Sequence, residues 1–127
     1  MKYNYDTPEE AIISLEKAYT DMDIVNIIAS KDFVTEAKLI LQRTNVELNN
    51  ETIKETAKLL ELSLIEDIQN NGFPNFNNVK RKFSSLNEID INLFFLEETL
   101  TYDNGEVYTN KIFLTVEDKK WKVAMTE

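Results

Sequence analysis

The groups in this chain that could do chemistry are carboxylates, tyrosines and hydroxyls, because its 127 residues include no Cys and no His. That composition removes disulfides, thiol nucleophiles, zinc sites built from these residues, and every triad or general base that needs an imidazole. What remains is carboxylate or tyrosine chemistry, an oxygen-ligand metal site, or binding without catalysis. Among the carboxylates Glu98 stands out. When the segments flanking the turn Asp103-Asn104-Gly105 are paired, Glu98 faces Asn110 on the apolar side, flanked by Leu100, Tyr102 and Tyr108. A carboxyl group at the polar end of an apolar pocket could hold a ligand or, if burial raises its pKa, move a proton. The plainer alternative is a solvated rim, where the sheet extends past the helices and Glu98 meets water.

That placement depends on strand register. A two-residue Asn-Gly loop would pair Tyr102 with Val107, set Glu97 opposite Ile112 and Leu100 opposite Thr109, and mix polar with apolar residues on both faces. A three-residue loop with Gly105 in the left-handed region instead pairs Leu100 with Tyr108, Leu96 with Ile112 and Phe94 with Leu114. It leaves Glu97 opposite Lys111 on the other face, and this is the expected register. A turn at Asp118-Lys119 then sets Val116 opposite Trp121, Leu114 opposite Val123 and Ile112 opposite Met125. Along the preceding segment the apolar set shifts from Ile89, Ile91, Leu93 and Phe95 to Phe94, Leu96 and Leu100. Such a change of parity calls for a bulge or for burial on both faces, and a bulge would bend the sheet.

The rest of the chain supplies the elements that hold these residues. Thr7-Pro8-Glu9-Glu10 is a dense helix start, followed by an apolar stripe of Ala11, Ile12, Leu15, Ala18 and Tyr19, with Glu9, Glu16 and Lys17 mostly outside it. A short buried helix opens at Asp21 or Asp23 and carries Ile24, Val25, Ile27 and Ile28. Asp32 caps a third helix with Phe33, Ala37, Ile40 and Leu41, ended by Arg43 and Thr44. Asn50 precedes the longest helix, whose stripe of Ile53, Ala57, Leu60, Leu64 and Ile68 stops at Asn70-Asn71-Gly72. Residues 70–78 form a loop in which Phe73 and Phe76 plug the core edge. Strands at 79–86, 89–102, 106–116 and 120–126 complete an antiparallel meander. The expected architecture is α+β, one domain over 1–127, with N-terminal helices packed on a bent four-stranded sheet.

Charge and composition bound the partners. With 14 Lys plus Arg against 23 Asp plus Glu, the formal net charge is −9. That field opposes phosphates, and the basic cluster Lys80-Arg81-Lys82 is short, so no nucleic acid is expected. The same field speeds encounter with a basic protein at low salt, although surplus acid also serves solubility alone. The polar N-terminus lacks the apolar stretch of a secretory signal, and no run approaches the ~20 apolar residues of a membrane span, so no membrane is expected and the expected location is cytoplasmic. The acidic pairs lack calcium-loop spacing and two glycines make no phosphate cradle; no metal and no cofactor is expected. Ser63, Ser84 and Ser85 have no His partner, and Trp121 reads as an anchor of the last hairpin.

Helices first, then a bent meander ending in Trp121-Lys122-Val123, resemble the nuclear-transport-factor-two-like superfamily (SnoaL-like, cystatin-like), which includes SnoaL-like cyclases and ketosteroid isomerases. The likeness spans nearly the whole chain. It rests on Thr7-Pro8-Glu9-Glu10-Ala11 opening the first helix, Asp23-Ile24 after it, Asp32-Phe33 before the next segment, and the terminal hairpin with Trp121. The family's Asp-Gly turn before the tryptophan is replaced here by Asp118-Lys119-Lys120. The resemblance implies a cone with a hydrophobic cavity, used in some members for proton transfer on small apolar substrates and in others for binding; homodimers are common. Another branch comprises immunity proteins that neutralise bacterial toxins, where an acidic surface can block a basic toxin domain. The enzymatic branches place Asp, His or Tyr in the cavity, and no catalytic pair maps onto this chain. The expectation is a non-enzymatic acidic binding protein whose partner is a basic protein such as a toxin domain. The alternative is an enzyme or carrier for a small apolar molecule, with Glu98 as its polar residue. A pure dimerisation module is a third reading.

Overall fold

Each helix begins where a short polar side chain takes an amide that the helix itself cannot satisfy. In the computed structural model, which describes residues 2–127, Thr7 accepts from the N–H of Glu10 (3.1 Å), Asp23 from Asn26 (3.2 Å), Asp32 from Thr35 (3.0 Å) and Asn49 from Thr52 (2.8 Å). These caps open α1 (Pro8–Thr20), α2 (Ile24–Ala29), α3 (Phe33–Arg43) and α4 (Asn50–Asn71). The longest helix ends at Gly72, whose φ of 83° lies in a region that favours glycine. In α2 only Ile27 is buried and Val25 is exposed, so this helix is an amphipathic bridge rather than the buried segment its four apolar residues suggested.

Five strands follow, all antiparallel: β1 (Lys80–Phe83), β2 (Asn87–Asp90), β3 (Leu93–Thr101), β4 (Val107–Glu117) and β5 (Lys120–Thr126). Their order is β1-β3-β4-β5, with β2 also pairing β3. The chain is thus α+β, with helices packed against a curved antiparallel sheet. The four-stranded expectation is corrected to five at one place. Residues 89–102 are not continuous but break at Ile91 and Asn92, where Asn92 takes a φ of 59° and Ile91 is 90% exposed. A turn together with the expected bulge, a register shift at Ile89 between Glu88 and Asp90, accompanies the change of apolar parity, and Ile89 is exposed.

The central hairpin has the three-residue-loop register. Leu100 pairs with Tyr108, Glu98 with Asn110, Leu96 with Ile112 and Phe94 with Leu114, and Gly105 adopts a φ of 90°. Leu96, Ile112, Leu114 and Val123 then join Ile12, Leu15 and Ile27 in the main core, to which Ile68 of α4 also contributes. Burying each of these aliphatic side chains stabilises by roughly 1.5–3 kcal/mol. Trp121 packs partly buried against this core, edge-on to Phe94 with ring centroids 5.0 Å apart.

One pairing differs from expectation. β5 carries a bulge, so that Leu114 pairs with Val123 but Phe113 pairs with Met125 and Ile112 with Thr126. Ala124 and Met125 consequently lie with Phe113 on the opposite face, where Leu39 and Ile40 of α3 cover them. The chain between α2 and α3 passes along the β5 edge to reach that face. The N–H of Val123 donates to the Ser30 carbonyl (3.0 Å) and the N–H of Asp32 to the Val123 carbonyl (2.8 Å), which leaves β5 less open to edge pairing. Among the described residues no helix is long and apolar enough to cross a membrane.

Candidate ligand-binding site

Register and curvature bring Glu98 inside the molecule. It lies mid-strand on β3 with Leu96 and Leu100 two residues to either side on the same face, and its side chain is 1% exposed. The solvated-rim reading is thereby corrected, because α1 and β1 reach across this end of the sheet. α1 contributes Glu16, itself buried, and β1 contributes Arg81, which pairs with Leu100 and so shares the inner face. Arg81 Nε donates to Glu16 Oε1 at 2.6 Å and stands 3.9 Å from Glu98 Oε2. Glu16 was expected outside the apolar stripe; its position one turn after Ile12 puts it on the stripe, and Arg81 makes the burial tolerable.

The three groups do not share charge equally. Arg81 is already engaged by Glu16 in a close, charge-assisted bond, and the 3.9 Å separation from Glu98 is too long for a hydrogen bond. Burial, then the neighbouring Glu16 carboxyl, push the Glu98 carboxyl up to about 9, with Arg81 pulling the other way. Glu98 is therefore a neutral acid at pH 7, next to the Glu16–Arg81 salt bridge. Its Oε2 is buried with no hydrogen-bond partner among the described residues.

Glu98 borders a cavity of about 250 Å³. Ile12, Leu15 and Tyr19 of α1 form one wall and Leu100, Ile112 and Val123 of the sheet the other. Phe76 closes the end, as the sequence suggested for this loop aromatic. Its N–H donates to Thr20 Oγ1 (2.9 Å) and its ring lies 6.3 Å from that of Tyr19. Asn110 borders the cavity across from Glu98, whereas Tyr102 and Tyr108 line a second, outer hollow of about 460 Å³. The four residues singled out in the sequence thus fall in two adjoining spaces that share Phe76, Leu100 and Asn110.

A separate groove of about 450 Å³ runs between α3 and the β2–β3 turn. It contains Asp32, whose Oδ2 already accepts from Thr35 (2.9 Å) and Thr115 (2.8 Å). Among the described residues the buried side-chain oxygen without a hydrogen-bond partner is that of Glu98.

Helices followed by a curved meander around an apolar hollow define the class of fold. No protein-family model matches this chain, and no curated protein matches it either. Among solved structures, the crystal structure of a proposed NTF2-like transpeptidase from Campylobacter jejuni is similar, with a TM-score of 0.50 and 13% sequence identity. The likeness covers 94% of this chain and 98% of that one. At this identity the similarity speaks for the fold alone, and the chain has the NTF2-like fold.

Proposed function

We propose that this protein binds a small, predominantly apolar molecule in the cavity between α1 and the β3–β4 hairpin, anchored by the neutral carboxyl of Glu98. The observation that supports this most directly is Glu98 Oε2, buried and without a partner. Leaving such a group unsatisfied costs about 1–3 kcal/mol, which a ligand's hydrogen bond recovers. A protonated carboxyl donates as well as accepts, so a carbonyl or hydroxyl on the ligand suits it. At interior packing density a cavity of about 250 Å³ holds a molecule of roughly ten non-hydrogen atoms.

The test compares α-tetralone with tetralin, the hydrocarbon of the same shape, by calorimetry at pH 7. The ketone is expected to bind at least about tenfold tighter, a preference of ~1.4 kcal/mol, and Glu98→Leu should abolish the preference. No binding of either probe by the wild-type protein contradicts the reading. So does a ketone preference that survives in the variant.

The basic-protein reading keeps support of its own in the net charge of −9 and in α4. There Leu59 and Leu62 are exposed, with Glu55 one turn before Leu59 and Glu66 one turn after Leu62. An apolar strip between carboxylates suits a partner surface whose apolar centre has a basic rim, such as that of a toxin domain. Co-purification from the cells that make the protein should yield a basic partner at low salt and lose it at high salt. Leu59→Lys with Leu62→Lys should lose it at both; retention by the variant, or indifference to salt, contradicts the reading.

A further inference from the structure

The β3–β4 hairpin carries two tyrosines past the helical layer, and Tyr108 remains 50% exposed. Their rings stand nearly perpendicular, at 83° with centroids 5.7 Å apart. Phe76 supplies a third aromatic side chain and Leu100 an apolar one. Glu106, exposed at the hairpin end, accepts from the Tyr108 hydroxyl at 2.7 Å through Oε2, which fixes the ring's orientation and keeps a carboxylate at the edge. Asn104 and Asn110 are the other polar members of this outer hollow.

We propose that this vestibule is a binding site for an organic cation, a quaternary or alkylated ammonium group, seated among Phe76, Tyr102 and Tyr108 beside the Glu106 carboxylate. Three physical features meet here. Aromatic faces carry a negative quadrupole that attracts a cation, most strongly one whose alkyl groups make its desolvation cheap. A carboxylate at the rim adds a formal charge. The local field is negative as well: burial raises the Tyr102 phenol, and at neutral pH, where Glu98 holds its proton, the charge of Glu16 raises it further, against Arg81, with Glu106 adding to it. A neutral apolar occupant would use the rings but gain nothing from Glu106. A hydrated metal ion would gain little from the rings. The alkylammonium group uses both. This inference goes beyond the cavity ligand proposed above and does not depend on it, because the cation sits at the mouth and the neutral molecule at Glu98.

The experiment uses choline and its uncharged carbon analogue 3,3-dimethylbutan-1-ol, with tyrosine ring protons followed by NMR at constant ionic strength. Choline is expected to give saturable shifts of Tyr102 and Tyr108 with a dissociation constant in the millimolar range, at least about fivefold tighter than the analogue. Tyr108→Leu should weaken choline at least about fivefold and Glu106→Gln about threefold, whereas Tyr108→Phe, which keeps the aromatic face, should retain it. Both positions are exposed, so these variants keep the core intact. Equal binding of the neutral analogue would overturn the proposal in favour of simple apolar contact. Unchanged choline affinity in Tyr108→Leu, or no saturable shift at either tyrosine, would overturn the site. Loss of the preference for tetralone over tetralin in Glu98→Leu with choline binding intact is expected, since the two readings fail separately.

Discussion

Arg81 Nε lies 2.6 Å from Glu16 Oε1 across 65 positions of sequence, joining the edge strand to the first helix at the base of the cavity. The bond occupies the guanidinium and leaves Glu98 next to a charge pair without belonging to it. Removing Arg81 strands a buried carboxylate, so Arg81→Met is expected to cost about 3–5 kcal/mol of unfolding free energy in urea titrations. Combining it with Glu16→Gln should recover most of that loss, because the uncompensated charge is gone. If the double variant is as unstable as the single, the pair is not an isolated electrostatic unit.

Glu98 makes stability depend on pH with a definite sign. Its carboxyl sits at about 9 in the folded chain against an ordinary 4.5. Below the lower value folded and unfolded chains both hold the proton. Between the two the unfolded chain ionises while the folded chain does not, so stability falls as pH rises, and it levels off above about 9. Glu98→Gln never ionises and should be more stable than wild type at pH 8 by on the order of 2–4 kcal/mol. The comparison is made as a difference between the two proteins at pH 5, 7 and 8, which removes the general self-repulsion of an acidic chain. Parallel pH curves for the two proteins would contradict this.

Much of this was legible in the sequence, and what was not has physical reasons. Gly105 and the alternation of Leu96, Leu100, Ile112 and Leu114 suffice to choose the register that sets Glu98 opposite Asn110. The burial of Glu98 was not legible, because it depends on α1 and β1 arriving from distant parts of the chain. Glu16 occupies a stripe position, i+4 from Ile12, yet a carboxylate there reads as solvated until its partner is known. One signal was present: the chain has only two arginines among its 14 basic residues, and arginine is the side chain suited to a buried bidentate pair. The Ala124 bulge left no local trace. It follows from Leu39 and Ile40 of α3 covering the far face of β5.

The β4–β5 turn offers a gain in stability. Asp118 and Lys119 hold φ values of 51° and 64°, the left-handed conformation in which a Cβ costs about 1–2 kcal/mol. Lys119→Gly is expected to raise unfolding free energy by about 1 kcal/mol in the same urea assay, with ligand binding unchanged. A loss of stability would indicate that the lysine side chain contributes more than its backbone strain costs.

The neutrality of Glu98 can be observed without any ligand. In a protein with 13C-labelled glutamate carboxyls, the resonance that disappears in Glu98→Gln is followed from pH 3 to pH 10. A resonance that stays in its protonated position through neutral pH and moves only near pH 9 is the predicted result. A midpoint below about 5, in the ordinary carboxylate range, would mean that Glu98 is ionised beside Arg81 and that the cavity has no acid to offer.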